Sequence, residues 1–263
     1  MKKLISILTA TTLIASSTVS VVACSSNANF REFKSWIKNE DSFLLYIGAK
    51  DCDYCQQFED TLKMTNKELE QLLAKANSIY NAKHSNESEI NNGDLTDFGR
   101  KIKHDKIDFH QFITDEKANN WNENWSKNIY NWIVEQIVKV YIKVRLETKP
   151  EIEDNYKRYY KIAEDRVKTY LSSNRGTPFY LLVRNGKLVF WEVGFEGATN
   201  NNHKEALEKW FKTFDEALNQ DQIEIKIADK IDGSKPSEDK KESLSNFKKY
   251  NYNLDFNKYI NKK

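Results

Sequence analysis

Two cysteines three positions apart, Cys52 and Cys55, follow the apolar run Phe43-Leu-Leu-Tyr-Ile-Gly-Ala49. A strand that feeds a helix carrying Cys-x-x-Cys in its first turn is the layout that thiol–disulfide exchange requires. Free backbone N–H groups and the positive dipole end at the helix start favour thiolate at Cys52. Cys55 lies one turn on, on the same face, close enough to resolve a mixed disulfide. Cys52 is therefore read as the attacking sulfur and expected to be the more exposed of the two. Asp51 and Asp53 flank it with negative charge, which opposes the dipole and argues for a moderate or reducing centre over a strongly oxidising one.

The chain holds three cysteines in 263 residues. A zinc site would need two ligands beyond Cys52 and Cys55, and His84, His104, His110 and His203 show no paired ligand spacing. A redox or redox-derived site is read over a metal half-site, and no metal is expected.

The third cysteine, Cys24, closes a different pattern. Lys2 and Lys3 precede an uncharged stretch, Leu4 to Val22, rich in apolar and small residues, which ends in Val21-Val22-Ala23-Cys24. Thr and Ser interrupt it and no stop-transfer charges follow, so residues 1–23 read as an export signal rather than a spanning helix. The stretch before Cys24 resembles a bacterial lipobox. That resemblance implies cleavage before Cys24, lipid attachment to its thiol and anchoring on the outer face of the plasma membrane; secretion after cleavage nearby is the alternative. Removing residues 1–23 takes away two lysines and no acid, so 41 basic and 39 acidic residues become 39 of each. Nothing in that balance points to nucleic acid. Abundant Lys, Asn, Ile and Tyr with few Gly and Pro, together with the signal, resemble the lipoproteins of wall-less, AT-rich bacteria of the mycoplasma and spiroplasma group.

Periodicity supplies the elements that would position the cysteines. Phe30, Phe33, Trp36 and Ile37 predict a short helix ahead of strand 43–48, and the Cys52 helix is expected to run to about Ala76. Residues 81–99 read as a loop, and the alternation of 107–113 predicts a second strand. From Lys117 to Leu171 the pattern is helical, with Trp121, Trp125 and Trp132 on a stripe read as core. Two β-rich runs flank Arg184-Asn-Gly-Lys187, a hairpin signal, and a helix over 204–218 follows. The domains expected are a signal (1–23), a lipidated linker (24–29), an α/β domain in two parts (30–116 and 174–228) split by a helical insert (117–173), and a polar tail (229–263).

With those elements in order, the chain resembles the thioredoxin superfamily: strand–Cys52-Asp-Tyr-Cys55–helix, strand 107–113, Gly176-Thr-Pro178 opening a hairpin, and a last helix. The resemblance covers about half the chain. It implies a thioredoxin-like fold with a central mixed sheet flanked by helices, Cys52 and Cys55 as the catalytic redox-active disulfide, and no other cofactor. It implies that Pro178 is cis beside the cysteines, with Thr177 presenting its backbone to an incoming peptide; Tyr54 joins Thr177 and Pro178 as a substrate-contacting residue. The departures are equally specific. A gap of 122 residues separates Cys55 from Pro178, the family's Trp before the first Cys is Asp51, and its buried acid aligns near Tyr46.

Three readings remain open at this point. The first is a membrane-anchored, extracytoplasmic thiol–disulfide oxidoreductase acting on cysteines of exported proteins. It would be regenerated by a separate redox partner, because the chain has no second Cys-x-x-Cys. The second is a thioredoxin-like binding module whose disulfide is structural, and the third is a surface lipoprotein without thiol chemistry.

Overall fold

The computed structural model describes residues 27–84, 101–146, 156–220 and 222–233. Helix α1 (Ala28–Lys38) leads into strand β1 (Phe43–Ala49). Helices α2 (Asp53–Thr65) and α3 (Glu68–Lys83) then cross over to β2 (Asp108–Thr114). A single 3-10 turn (Lys117–Asn119), α4 (Asn124–Leu146) and α5 (Tyr156–Ser173) follow. The hairpin β3 (Phe179–Arg184) and β4 (Lys187–Val193) precedes α6 (His203–Asn219) and α7 (Ile223–Asp232). The fold is α/β, a four-stranded mixed sheet flanked by helices.

The strand order is β2-β1-β3-β4, with β1 parallel to β2 and antiparallel to β3. Parallel neighbours need a long crossover, which α2 and α3 provide. Every residue of β1 and β3 is buried, as an apolar strand covered on both faces must be. Alternation sends Tyr46 and Tyr180 towards Phe58 and Trp210 of α2 and α6. It sends Phe43 to Phe33 of α1, and Phe179 to Trp121 in the segment before α4, on the opposite face. The hairpin turn at Asn185-Gly186 has φ of 50° and 74°, the left-handed pair that a two-residue turn between twisted strands demands.

Three expectations need correction. The helix beginning after Cys52 does not run unbroken to Ala76: Asn66 and Lys67 have φ of 33° and 58°, which no α-helix accommodates, so α2 ends and α3 begins there. α3 then continues to Lys83 because Ala76 and Tyr80 pack into the core, taking residues 81–83 out of the expected loop. The boundary at 228 falls inside α7, whose Ile223, Ile227, Ala228 and Ile231 are buried. That helix packs on the insert rather than opening a polar tail. Arg145 of α4 bonds Asp232 at 2.6 Å and also Asp229, Arg166 of α5 reaches Asp232 at 2.9 Å, and Lys143 meets Glu224 at 2.8 Å. The remaining expected tail, residues 234–263, and residues 1–26 with Cys24 lie outside the described residues.

Residues from the insert and the sheet belong to one continuous core. Trp121 and Trp125 are buried, whereas Trp132 is only partly so, its ring edge-on to Phe33 at 5.0 Å. The insert is thus a second face of the sheet's own core, and it meets the turn ahead of Cys52 through the Lys117 amide, which donates to Asp51. Among the described residues no helix is long and apolar enough to cross a membrane.

Candidate active site

β1 ends at Ala49 and the chain turns at once. The Lys50 amide donates to Thr114 O at 3.1 Å and the Cys52 amide to Ala49 O at 3.2 Å, tying the turn to both parallel strands. Cys52 keeps an extended backbone (φ −106°, ψ 111°) and is the N-cap of α2. Its Sγ accepts the Cys55 N–H at 3.3 Å, so sulfur fills the place that a Ser or Asp oxygen usually takes. Cys52 and Cys55 are joined in a disulfide with their Cα atoms 5.1 Å apart.

The hairpin brings Thr177 to the same point from 125 residues away. Cys52 Sγ lies 3.5 Å from the Thr177 carbonyl oxygen, and the Thr177–Pro178 peptide is cis. Tyr54, in the middle of the motif, is 59% exposed. The structure therefore assembles Cys52, Cys55 and Thr177, with Pro178 next in chain and Tyr54 standing out from the surface beside them.

The exposure expected of Cys52 is not found: it is 1% exposed and Cys55 is 0%. Position at a helix start does not by itself expose a side chain, because here the Thr177 segment closes over the sulfur from outside the helix. The two aspartates also differ from each other. The Asp51 carboxylate accepts the backbone N–H of Lys117, so it fastens the segment after β2 to the active-site turn. Asp53 sits exposed in the first turn of α2.

Three residues that sequence reasoning left out of the site belong beside it. Trp121, assigned to the core stripe, donates its indole N–H to Arg175 O at 2.7 Å and packs edge-on to Phe179 at 5.0 Å. It grips both sides of Thr177-Pro178. The signal available was its chemistry: a buried indole carries a donor that needs a partner. Arg175 is held in turn, its guanidinium 5.2 Å from the Tyr130 ring centroid. The third is Glu59, four residues after Cys55 and on the same face of α2. It accepts a hydrogen bond from Tyr46 Oη at 3.0 Å. Burial, reinforced by the Glu59 charge, pushes the Tyr46 phenol far above its ordinary value, so it stays a donor. The position expected to hold an acid thus carries a neutral phenol leaning on one.

Among the described residues no three His, Cys, Asp or Glu side chains gather as metal ligands would. No protein-family model, characterised protein or solved structure matches the chain, and the chemistry of the site stands on its own residues.

Proposed function

We propose that the protein is a thiol–disulfide oxidoreductase of thioredoxin-like fold, anchored by lipid on Cys24 at the outer face of the plasma membrane, and that it acts on cysteines of exported proteins. One observation carries the chemistry: a Cys-x-x-Cys disulfide caps the N-terminus of a helix that follows a buried strand, with a peptide carbonyl 3.5 Å from the first sulfur. The strand order β2-β1-β3-β4 and the site on the loop after β1 support the fold assignment; the lipobox-like sequence supports the anchor.

In the reduced protein the Cys55 N–H that reaches Cys52 Sγ stabilises negative charge there, as does the helix dipole. The Cys52 thiolate attacks a substrate disulfide, forms a mixed disulfide with one substrate sulfur and releases the other as thiolate. The Cys55 thiolate then attacks the Cys52 sulfur, releases the remaining substrate thiolate and leaves the Cys52–Cys55 disulfide. Two electrons pass from protein to substrate; the reverse sequence oxidises a substrate dithiol. A separate redox partner resets the site in either direction.

A second reading has its own observation. Both sulfurs are buried, as expected of a structural disulfide in a binding module. The reduction potential separates the two. A catalytic pair falls in the range of about −120 to −270 mV spanned by disulfide exchangers, and a structural bond lies below about −300 mV. Equilibration against a dithiothreitol couple measures it. A potential well below that boundary, with no mixed disulfides captured by a Cys55→Ser variant on intact cells, ends the oxidoreductase proposal. Loss of labelled palmitate incorporation in Cys24→Ser tests the anchor separately.

A further inference from the structure

Arg175 lies two residues before Thr177 and is exposed. Its backbone is fixed by the Trp121 indole at 2.7 Å and its guanidinium rests over Tyr130, 5.2 Å from the ring centroid. Among the described residues no carboxylate pairs with it, whereas Arg145 and Arg166 each engage aspartates of α7. A guanidinium held against an aromatic ring, with one hydrogen bond to the Tyr130 phenol, has already given up much of its rotamer freedom and keeps further donors of its planar group for a ligand. The carboxylates of the motif lie on the α2 side: Asp51, occupied by the Lys117 amide, and Asp53 in the first helical turn. The site is polarised, with acids beside Cys52 and a fixed cation on the segment that meets it.

We propose that Arg175 is a specificity-determining residue that selects cysteines with a carboxylate side chain two or three residues away along the substrate chain. This rests on the thiol-exchange reading. An extended peptide passing along Thr177 advances about 3.3 Å per residue, so a residue two or three positions from the reacting cysteine reaches the neighbourhood of Arg175. A planar guanidinium donates to both oxygens of a carboxylate, and a cation already held against Tyr130 loses little further freedom on binding it. Glutamate or aspartate at that distance is favoured, glutamine is neutral and lysine is disfavoured.

The test uses the full-length protein reduced with dithiothreitol and desalted. The probes are short single-cysteine peptides presented as mixed disulfides with 2-mercaptoethanol, an uncharged cap. Each turnover consumes the two protein thiols and one mixed disulfide, and yields the Cys52–Cys55 disulfide, free peptide thiol and free 2-mercaptoethanol. Glu, Gln or Lys is placed two residues before or after the cysteine. The expected result is a preference of about fivefold for Glu over Lys at low salt on at least one side, the scale of one exposed ion pair. It shrinks at high salt, falls within about twofold in Arg175→Gln and is intermediate in Arg175→Lys, which keeps the charge but not the fork. Circular dichroism verifies that the variants fold, and the salt dependence of the wild type stands without them. Equal wild-type rates for all peptides, or an undiminished preference in Arg175→Gln, overturn this inference and leave the oxidoreductase reading intact. No exchange with any peptide overturns both.

Discussion

Tyr46 and Glu59 are joined by a 3.0 Å hydrogen bond between β1 and the Cys-x-x-Cys helix, the phenol on β1 and the carboxylate one turn beyond Cys55. Gly48 makes room for it, since a Cβ there would land inside the van der Waals envelope of Tyr46 Oη and Cζ. Tyr46→Phe leaves Glu59 without its donor and should cost about 1 kcal/mol. Gly48→Ala should cost more, about 2 kcal/mol, because the buried ring must move. Tyr46→Phe should not rescue it, because the ring carbon clashes as well as the oxygen. Urea denaturation of the two single variants and the double variant measures all three; full rescue would show that only the hydroxyl is crowded.

The hairpin turn is predicted to be the least substitutable point away from the site. Gly186 has φ of 74°, and a Cβ there would sit 2.6 Å from the Ile37 carbonyl oxygen of α1. Gly186→Ala combines left-handed strain with a backbone clash, and should destabilise by about 2 kcal/mol or more. Its neighbour Asn185 pins the same corner, donating to Lys101 O at 2.7 Å and accepting from the Lys103 amide at 3.0 Å. A thermal midpoint unchanged by Gly186→Ala would mean that α1 yields readily.

Acid sensitivity is expected from His110. Its ring stacks on Trp36, centroids 3.6 Å apart and planes 6° apart. Burial pushes its pKa down to about 4, with the nearby Asp108 and Asp41 carboxylates opposing the shift only in part. The folded value lies below the unfolded one, near 6.5, so the unfolded chain binds the proton first as pH falls. The contribution is intact above about pH 6.5 and is lost between there and about pH 4. After allowance for partial exposure of the ring, the loss should be about 2 kcal/mol. His110→Gln should flatten the stability profile within that window relative to wild type. Parallel profiles for the two proteins would show that the imidazole charges without penalty.

Trp121 should report on the coupling of insert to site. Trp121→Phe keeps the ring against Phe179 but removes the donor to Arg175 O, at about 1 kcal/mol. Exchange rates with mixed-disulfide peptides should fall several-fold, because the segment carrying Thr177 loses its anchor. Trp121→Ala should cost about 3–5 kcal/mol in stability as a core truncation. If Trp121→Phe exchanges at the wild-type rate, the indole bond is a packing detail only.

Local sequence sufficed wherever an element was decided by its own residues. The continuous apolar run of β1, the Asn-Gly turn at 185–186, the helical period of α1 and α6, and the Cys52–Cys55 spacing at a strand-to-helix turn were all legible, because each follows from steric and burial rules over a few positions. The break at Asn66-Lys67 was not legible, since neither residue forbids a helix; it shows only in their positive φ, between two helices that both pack on α6. Nor was α7 assigned to the insert, because its isoleucines are satisfied by α4 from far along the chain. At the site, spacing alone presented Cys52 as an open helix-start thiol. Tertiary structure decided otherwise by laying Thr177 against it, holding that segment with Trp121, and turning Asp51 to the Lys117 amide. Those contacts join residues up to 125 positions apart, and no local periodicity encodes which distant segment closes over a sulfur.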